Sequence, residues 1–223
     1  IVVIGGDGSF RGARDLSLAG IPCVGVPATI DNDISSTEYT IGFDTAMNTV
    51  IQMVDRLRDT CDSHERCSVV EVMGRNAGHL ALRTAIGVGA LAVIVPEREN
   101  DLDAVIEKIK ETQRMGKKHF IVVVAEGVGG VTEMAKKIEA ETGVETRGTI
   151  LGHVQRGGSP TLRDRLIATQ MGFAAVELLK EGIGNRVVAY KLGHVVNYDI
   201  YEALNMTKGL EDNLCNLADV TAI

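Results

Sequence analysis

The chain has 223 residues, 45% hydrophobic and 24% charged, a composition that excludes wholesale disorder and collagen-like repetition. Its net charge of −7 and pI near 5.3, with no run of Lys and Arg, argue against general nucleic-acid binding, because a duplex repels such a surface. No stretch approaches the roughly 18 uninterrupted apolar residues of a membrane span, so neither nucleic acid nor membrane is expected as a partner.

The first element is a strand, Ile1 to Ile4, an apolar run that opens the chain without Met and suggests a fragment cut in mid-domain. It runs directly into Gly5-Gly6-Asp7-Gly8-Ser9, followed by a helix from Phe10 to Ala19. Glycines let the backbone turn sharply and approach a ligand closely, and a helix N-terminus offers N–H groups to phosphate. Arg11 stands where the dinucleotide fingerprint counted from Gly6 needs its last glycine, so the turn suits phosphate rather than a dinucleotide. Asp7 adds a carboxylate suited to Mg²⁺ beside phosphates.

A second strand, Cys23 to Val26, leads into Pro27-Ala28-Thr29-Ile30-Asp31-Asn32-Asp33. Read as an extended segment, this cluster projects Asp31 and Asp33 to the same side, where repulsion favours a metal or a raised pKa and one carboxylate can act as a base. The alternative is Asx-turn and N-cap work before the next helix. That helix, Asp44 to Thr60, carries Ala46, Val50, Met53, Val54 and Leu57 at helical spacing.

Further strands are expected at Cys67 to Val72, Leu91 to Val95, Phe120 to Val124 and Arg186 to Ala189, and helices at Leu102 to Thr112, Glu133 to Thr142 and Leu162 to Leu179. The alternation predicts an α/β fold with mainly parallel sheets, whose strands are nearly continuous hydrophobic runs because both faces are covered. In such sheets ligands collect beyond the carboxyl ends of strands, where the polar clusters fall. Met73-Gly74-Arg75-Asn76-Ala77-Gly78 follows one strand, and Leu151 to Gly158 sets His153 and Arg156 among glycines. With Arg66 and Arg147 these make a basic set suited to bidentate phosphate contacts. Glu126 stands at another strand end, either simply exposed or accepting from sugar hydroxyls.

The four cysteines lack C-x-x-C spacing, which points to reduced thiols in the cytoplasm. His64, His79, His119 and His194 show no metal-ligand spacing, and no G-x-S-x-G nucleophile context exists.

Taken together, the segments GGDGS at 5–9, TIDND at 29–33, MGRNAG at 73–78 and LGHVQRGGSP at 151–160 resemble the bacterial-type 6-phosphofructokinases over nearly the whole chain. The resemblance implies two Rossmann-like three-layer domains in a homotetramer. An ATP and Mg²⁺ side would hold residues 1–42 and 155–204, and a fructose 6-phosphate side residues 43–154 and 205–223. It implies an enzyme of glycolysis that moves the ATP γ-phosphoryl group to the 1-hydroxyl of fructose 6-phosphate. By that likeness Asp31 is the base, with Thr29 beside it, and Arg75 stabilises the transferring group. Asp7 holds Mg²⁺ with Asp33 as the weaker ligand, and Gly6, Gly8, Ser9 and Gly12 line the nucleotide site. His153 and Arg156 grip the 6-phosphate, Arg66 and Arg147 reach it from a neighbouring subunit, and Met73, Gly74 and Glu126 contact the sugar. Arg58 and Lys117 match effector-site basic residues.

Three departures from the family pattern stand out. The leading segment with a further ATP-phosphate loop is absent. Ala28 replaces a glycine, while the Asp and Lys that pyrophosphate-dependent relatives place at positions 8 and 28 are absent, which favours ATP as donor. Leu91 occupies a position where allosteric members carry a carboxylate, which weakens the case for effector control. The alternatives are a pyrophosphate-dependent enzyme and a non-catalytic sugar-phosphate-binding subunit; the latter tends to lose the aspartates that this chain keeps.

Overall fold

The computed structural model describes residues 1–99 and 101–222, and these divide into two compact units. The first comprises Ile1–Thr45 and Ser159–Gly209. Its four-stranded sheet has the order β1 (Val2–Gly5), β2 (Val24–Pro27), β7 (Arg186–Lys191), β8 (His194–Asp199). The first three strands run parallel and β8 returns antiparallel to β7. Leu192 and Gly193, both at positive φ (49° and 83°), make the two-residue turn that suits the strands' twist.

Helix α1 (Asp7–Leu18) buries Phe10 and Ala13 against Cys23, Val187 and Ile200, the last on the short α7 (Ile200–Asn205). Gly25 makes room for this packing, since a Cβ there would lie 2.9 Å from the Phe10 ring. Helix α6 (Leu162–Lys180) buries Ile167, Met171 and Ala175, a spacing of four that keeps one face inward.

The second unit comprises Ala46–Gly158 and Leu210–Ile223. Its sheet, in the order β4 (Ala92–Ile94), β5 (Phe120–Ala125), β3 (Cys67–Val72), β6 (Thr146–Ile150), is parallel throughout. Alternate residues feed two cores. Val70, Val72, Ile121 and Val123 join Val50 and Val54 of α2 (Phe43–His64) and Ala81 and Ala85 of α3 (His79–Gly87). Cys67, Val69, Phe120 and Val122 join Ile106 and Ile109 of α4 (Leu102–Arg114) and Ile138 of α5 (Val131–Thr142). Coverage of both faces is the physical reason β5 reads as an unbroken hydrophobic run and β3 as a nearly continuous one, interrupted only by the buried Ser68 and the half-buried Glu71. Helix α8 (Asp212–Thr221) adds Cys215 and Ala218 beside Leu82 of α3. No helix among the described residues is long and apolar enough to cross a membrane.

The fold is α/β with parallel-dominated sheets, and the expected strands and long helices are present. Several expectations need correction. Helix α1 starts at Asp7 rather than Phe10, because Gly6 takes the capping position and Asp7, Gly8 and Ser9 form the first turn. Asp31 and Asp33 do not lie on an extended segment: the chain turns at Ile30 and Asp31, and Asn32 is left-handed at φ 51°. The same-side argument for the two carboxylates therefore falls. Strands β6 and β8 and helices α3, α7 and α8 are additional elements, and β6, at a sheet edge, is polar enough (Thr-Arg-Gly-Thr-Ile) to lack a hydrophobic run.

Candidate active site

In the first unit, parallel pairing of β1 and β2 sets Gly5 opposite Pro27, and Ala28 N–H donates to the Gly5 carbonyl at 3.0 Å. The two glycine- and aspartate-bearing segments therefore leave the sheet side by side, at the carboxyl ends of adjacent strands. Gly5 has no room for a side chain, because a Cβ would sit 2.2 Å from Ser9 Oγ. A Cβ on Gly6 would come within 3.6 Å of the Thr29 side chain, which places Thr29 at the N-terminus of α1. Gly8 and Gly12, one turn apart, face open space and keep that side of the helix bare. The positive end of the helix dipole and its first N–H groups are thus aimed where an anion can approach.

Asp7 stands in that first turn and pairs with Arg11 Nε at 2.8 Å, with side-chain exposures of 43% and 55%. Among the described residues no group of three or more His, Cys, Asp or Glu is placed to hold a metal. Mg²⁺ ordinarily takes only one or two carboxylates and completes its shell with waters and substrate phosphates, so a single carboxylate at a helix N-terminus fits it chemically.

The segment after β2 is folded back on itself. Asp31 is 8% exposed, its N–H donates to Thr29 Oγ1 at 3.2 Å, and Asp33 is half-buried. Thr40 Oγ1 donates to the Thr29 carbonyl at 2.6 Å and lies 3.4 Å from Asn32 Oδ1, while Asn32 Nδ2 donates to the Glu38 carbonyl at 3.2 Å. Lys208 Nζ donates to the carbonyls of Asn32 and Thr37 at 2.7 and 2.8 Å. Further along, Asp164 is 1% exposed and accepts from Tyr39 Oη at 2.5 Å, from Gly42 N–H at 2.8 Å, from Thr45 N–H at 2.9 Å and from the Thr45 hydroxyl. Burial, then the Asp164 carboxylate, pushes the Tyr39 phenol above its ordinary range.

In the second unit three strand ends converge. Met73, Gly74 and Arg75 follow β3, Glu126 follows β5, and a 3₁₀ helix (Gly152–Arg156) follows β6. Gln155, 1% exposed, ties two of them together: its Oε1 accepts from Met73 N–H at 3.0 Å and its Nε2 donates to the Gly152 carbonyl at 3.0 Å. Glu126 Oε1 accepts from the N–H groups of Gly74 (3.2 Å) and Arg75 (2.5 Å). Glu126 is therefore half-buried and partnered rather than a simply exposed strand-end residue. Gly74 sits at φ 142° with the Ala77 carbonyl oxygen 2.5 Å from where a Cβ would be, and Arg75 is left-handed at φ 54°. Burial and then the nearby charge of Glu126 raise the pKa of the Glu71 carboxyl. His153 and Arg156 are exposed beyond this frame.

Arg66 and Arg147 lie elsewhere. Arg66 precedes β3, Arg147 pairs with Ser68 near its start, and both approach the Glu145 carboxylate, Arg66 Nε as an ion pair at 2.8 Å. Their cations hold the Glu145 carboxyl below its usual range, Arg66 first. A six-residue strand spans roughly 20 Å, so Arg66 and Met73 stand at opposite ends of the sheet. Arg58 donates to the Val88 carbonyl, and Lys117 has its pKa lowered by burial and then by Arg58 and Lys108, which places these cations near one another. Leu91 is fully buried in the core.

The sequence profile of the phosphofructokinase family matches residues 1–179. The chain belongs to the phosphofructokinase family. It is 55% identical over 219 residues to the ATP-dependent 6-phosphofructokinase 1 of Clostridium perfringens, covering 98% of this chain and 69% of that protein. It is 53% identical over 220 residues to the ATP-dependent 6-phosphofructokinase of Clostridium botulinum strain Loch Maree, covering 99% and 69%. Among solved structures, the phosphofructokinase of Saccharomyces cerevisiae superposes with a TM-score of 0.85 at 32% identity, over 100% of this chain and 35% of that one. The pyrophosphate-dependent phosphofructokinase of Nitrosospira multiformis shares the fold, with a TM-score of 0.83 at 22% identity over 100% and 66%.

Within this phosphofructokinase chain the first unit brings Gly6, Asp7, Gly8, Ser9, Gly12, Thr29 and Asp31 to the carboxyl end of β1 and β2. The second gathers Met73, Gly74, Arg75, Glu126, His153 and Arg156, but leaves Arg66 and Arg147 at the far end of its sheet. Sequence reasoning missed Asp164, Lys208 and Thr40, which hold the aspartate loop, and gave Gln155 no role although it lies inside a quoted motif. Only Gln155 carried a local signal, its place between glycine-rich turns.

Proposed function

We propose that the protein transfers the γ-phosphoryl group of ATP to the 1-hydroxyl of fructose 6-phosphate, releasing fructose 1,6-bisphosphate and ADP. One observation carries this reading above the rest: Asp31, nearly buried, stands two residues from a threonine that packs against a bare, glycine-capped helix N-terminus. A base is thereby set beside a place built for phosphate. The C1 hydroxyl gives its proton to the Asp31 carboxylate as its oxygen attacks the γ-phosphorus and the bond to ADP breaks, with Thr29 beside the transferring group. Gly6, Gly8, Ser9 and Gly12 line the nucleotide, and the absence of side chains at positions 8 and 12 leaves it room. Asp7 would hold Mg²⁺, with Asp33 the weaker ligand; when bound, the ion neutralises charge on the phosphates.

In the second unit Met73, Gly74 and Glu126 contact the sugar, His153 and Arg156 grip its 6-phosphate, and Arg75 stabilises charge on the phosphoryl group. The Glu126 and Gln155 contacts fix the backbone that presents Arg75, which suits a reaction catalysed by positioning and electrostatics. Arg66 and Arg147, about a strand's length from that cluster, serve a neighbouring subunit's 6-phosphate in a homotetramer. Arg58 and Lys117 form a basic effector site, with Leu91 contributing no carboxylate to it. The identity to relatives named ATP-dependent supports ATP as donor and a place in glycolysis, hence in the cytoplasm.

In the intact protein Asp31→Asn is expected to lower kcat by roughly a thousandfold or more while fructose 6-phosphate binding, read by calorimetry, stays within a few-fold. Equal loss of binding and turnover would remove the base role.

A further inference from the structure

We propose that Lys208 is a positioning residue for Asp31, a role that rests on Asp31 acting as the base. Lys208 follows α7, 176 residues beyond Asn32 in sequence, yet its ammonium donates to the Asn32 and Thr37 carbonyls at 2.7 and 2.8 Å. These two carbonyls bracket residues 33–36, the segment that follows Asp31 and Asn32.

The residue held is the one whose conformation decides where Asp31 sits. Asn32 is 1% exposed and left-handed at φ 51°, a geometry that Asn tolerates but does not prefer without local hydrogen bonds. Its side chain is engaged at both ends, Nδ2 on the Glu38 carbonyl and Oδ1 toward the Thr40 hydroxyl. Lys208 supplies the third restraint, on the Asn32 carbonyl itself. Thr40 also holds the Thr29 carbonyl at 2.6 Å, so both flanks of Asp31 are pinned, one by a hydroxyl and the other by a cation. A charged donor bridging two carbonyls makes stronger bonds than a neutral one, and it brings positive charge to a loop that carries two carboxylates within three residues. Loss of the clamp lets the Asn32 peptide rotate, and a base displaced by about an ångström loses rate without losing ligand contacts.

The test compares Lys208→Met, Lys208→Gln and Lys208→Arg with Asp31→Asn, all in the intact protein, with ATP, Mg²⁺ and fructose 6-phosphate. Lys208→Met and Lys208→Gln are expected to lower kcat roughly ten- to a hundredfold, with KM for both substrates within about twofold and the thermal midpoint within a few degrees. Lys208→Arg, which keeps a charged bridging donor, is expected to recover most of kcat. A normal kcat in Lys208→Met and Lys208→Gln beside an inactive Asp31→Asn overturns the role of Lys208 and leaves the base assignment intact. Loss seen mainly in KM or stability, and not restored by Arg, also overturns it by showing a merely structural lysine. An active Asp31→Asn removes the base assignment and this inference with it.

Discussion

In the first unit the loop from Ala28 to Gly42 has almost no regular structure and is fixed by polar side chains that arrive from far along the chain, chiefly the buried Asp164 and the half-buried Lys208. In the second, the loop after β3 is fixed at close quarters, by glycines that leave no space for a side chain and by Glu126 and Gln155 from neighbouring strand ends. The first arrangement concentrates the loop's geometry in a few charge-assisted bonds, and the second spreads it over backbone packing. Loops of the two kinds should therefore fail differently when cut.

The sharpest break is Asp164→Ala, which strands the Tyr39 hydroxyl and the N–H groups of Gly42 and Thr45 inside the first unit. Urea unfolding should show a loss of about 3–5 kcal/mol, because buried donors left without an acceptor keep their full desolvation penalty. Gly74→Ala comes next. It puts a Cβ against the Ala77 carbonyl at a φ that L-residues avoid, and about 2–3 kcal/mol of stability is expected to go with it, along with the placement of Arg75.

Glu71→Gln gives the smallest effect and one of opposite sign. The folded-state pKa of Glu71 is raised, so its contribution to stability is fully present below the unfolded value of about 4.3 and is lost as pH rises through the folded value. The variant should therefore melt higher than the parent at pH 7, and the gap should close as pH falls toward 4. A gap that widens at low pH would reverse the assigned cause.

The same contrast governs how much of the structure is legible in the sequence. Strands β3 and β5 were legible because burial on both faces favours apolar residues at nearly every position, Ser68 and Glu71 of β3 being the exceptions, whereas β6 was not, because as an edge strand it needs no such run. The site motifs were legible as glycine and polar clusters placed after strands, and Gly74 shows why: its steric conflict, with the Ala77 carbonyl, lies within its own motif. The helical first turn at Asp7 was hidden because Gly8, a poor helix former, sits inside it. The turn at Asp31 was hidden because its left-handed neighbour Asn32 is held by groups six to eight residues on, at Glu38 and Thr40, and by Lys208, rather than by its immediate neighbours in sequence. Asp164 and Lys208 could not be found at all from local pattern, since their partners lie more than 100 residues away.

The measurement that bears most directly on this account is fructose 1,6-bisphosphate formation from fructose 6-phosphate and Mg²⁺ by the full-length protein, with ATP and with pyrophosphate as donor. Product with ATP and none with pyrophosphate is the predicted result, in keeping with Gly8 and Ala28 beside the glycine-capped helix. Product with pyrophosphate alone would contradict the donor assignment, and product with neither would contradict catalysis itself and leave a sugar-phosphate-binding protein.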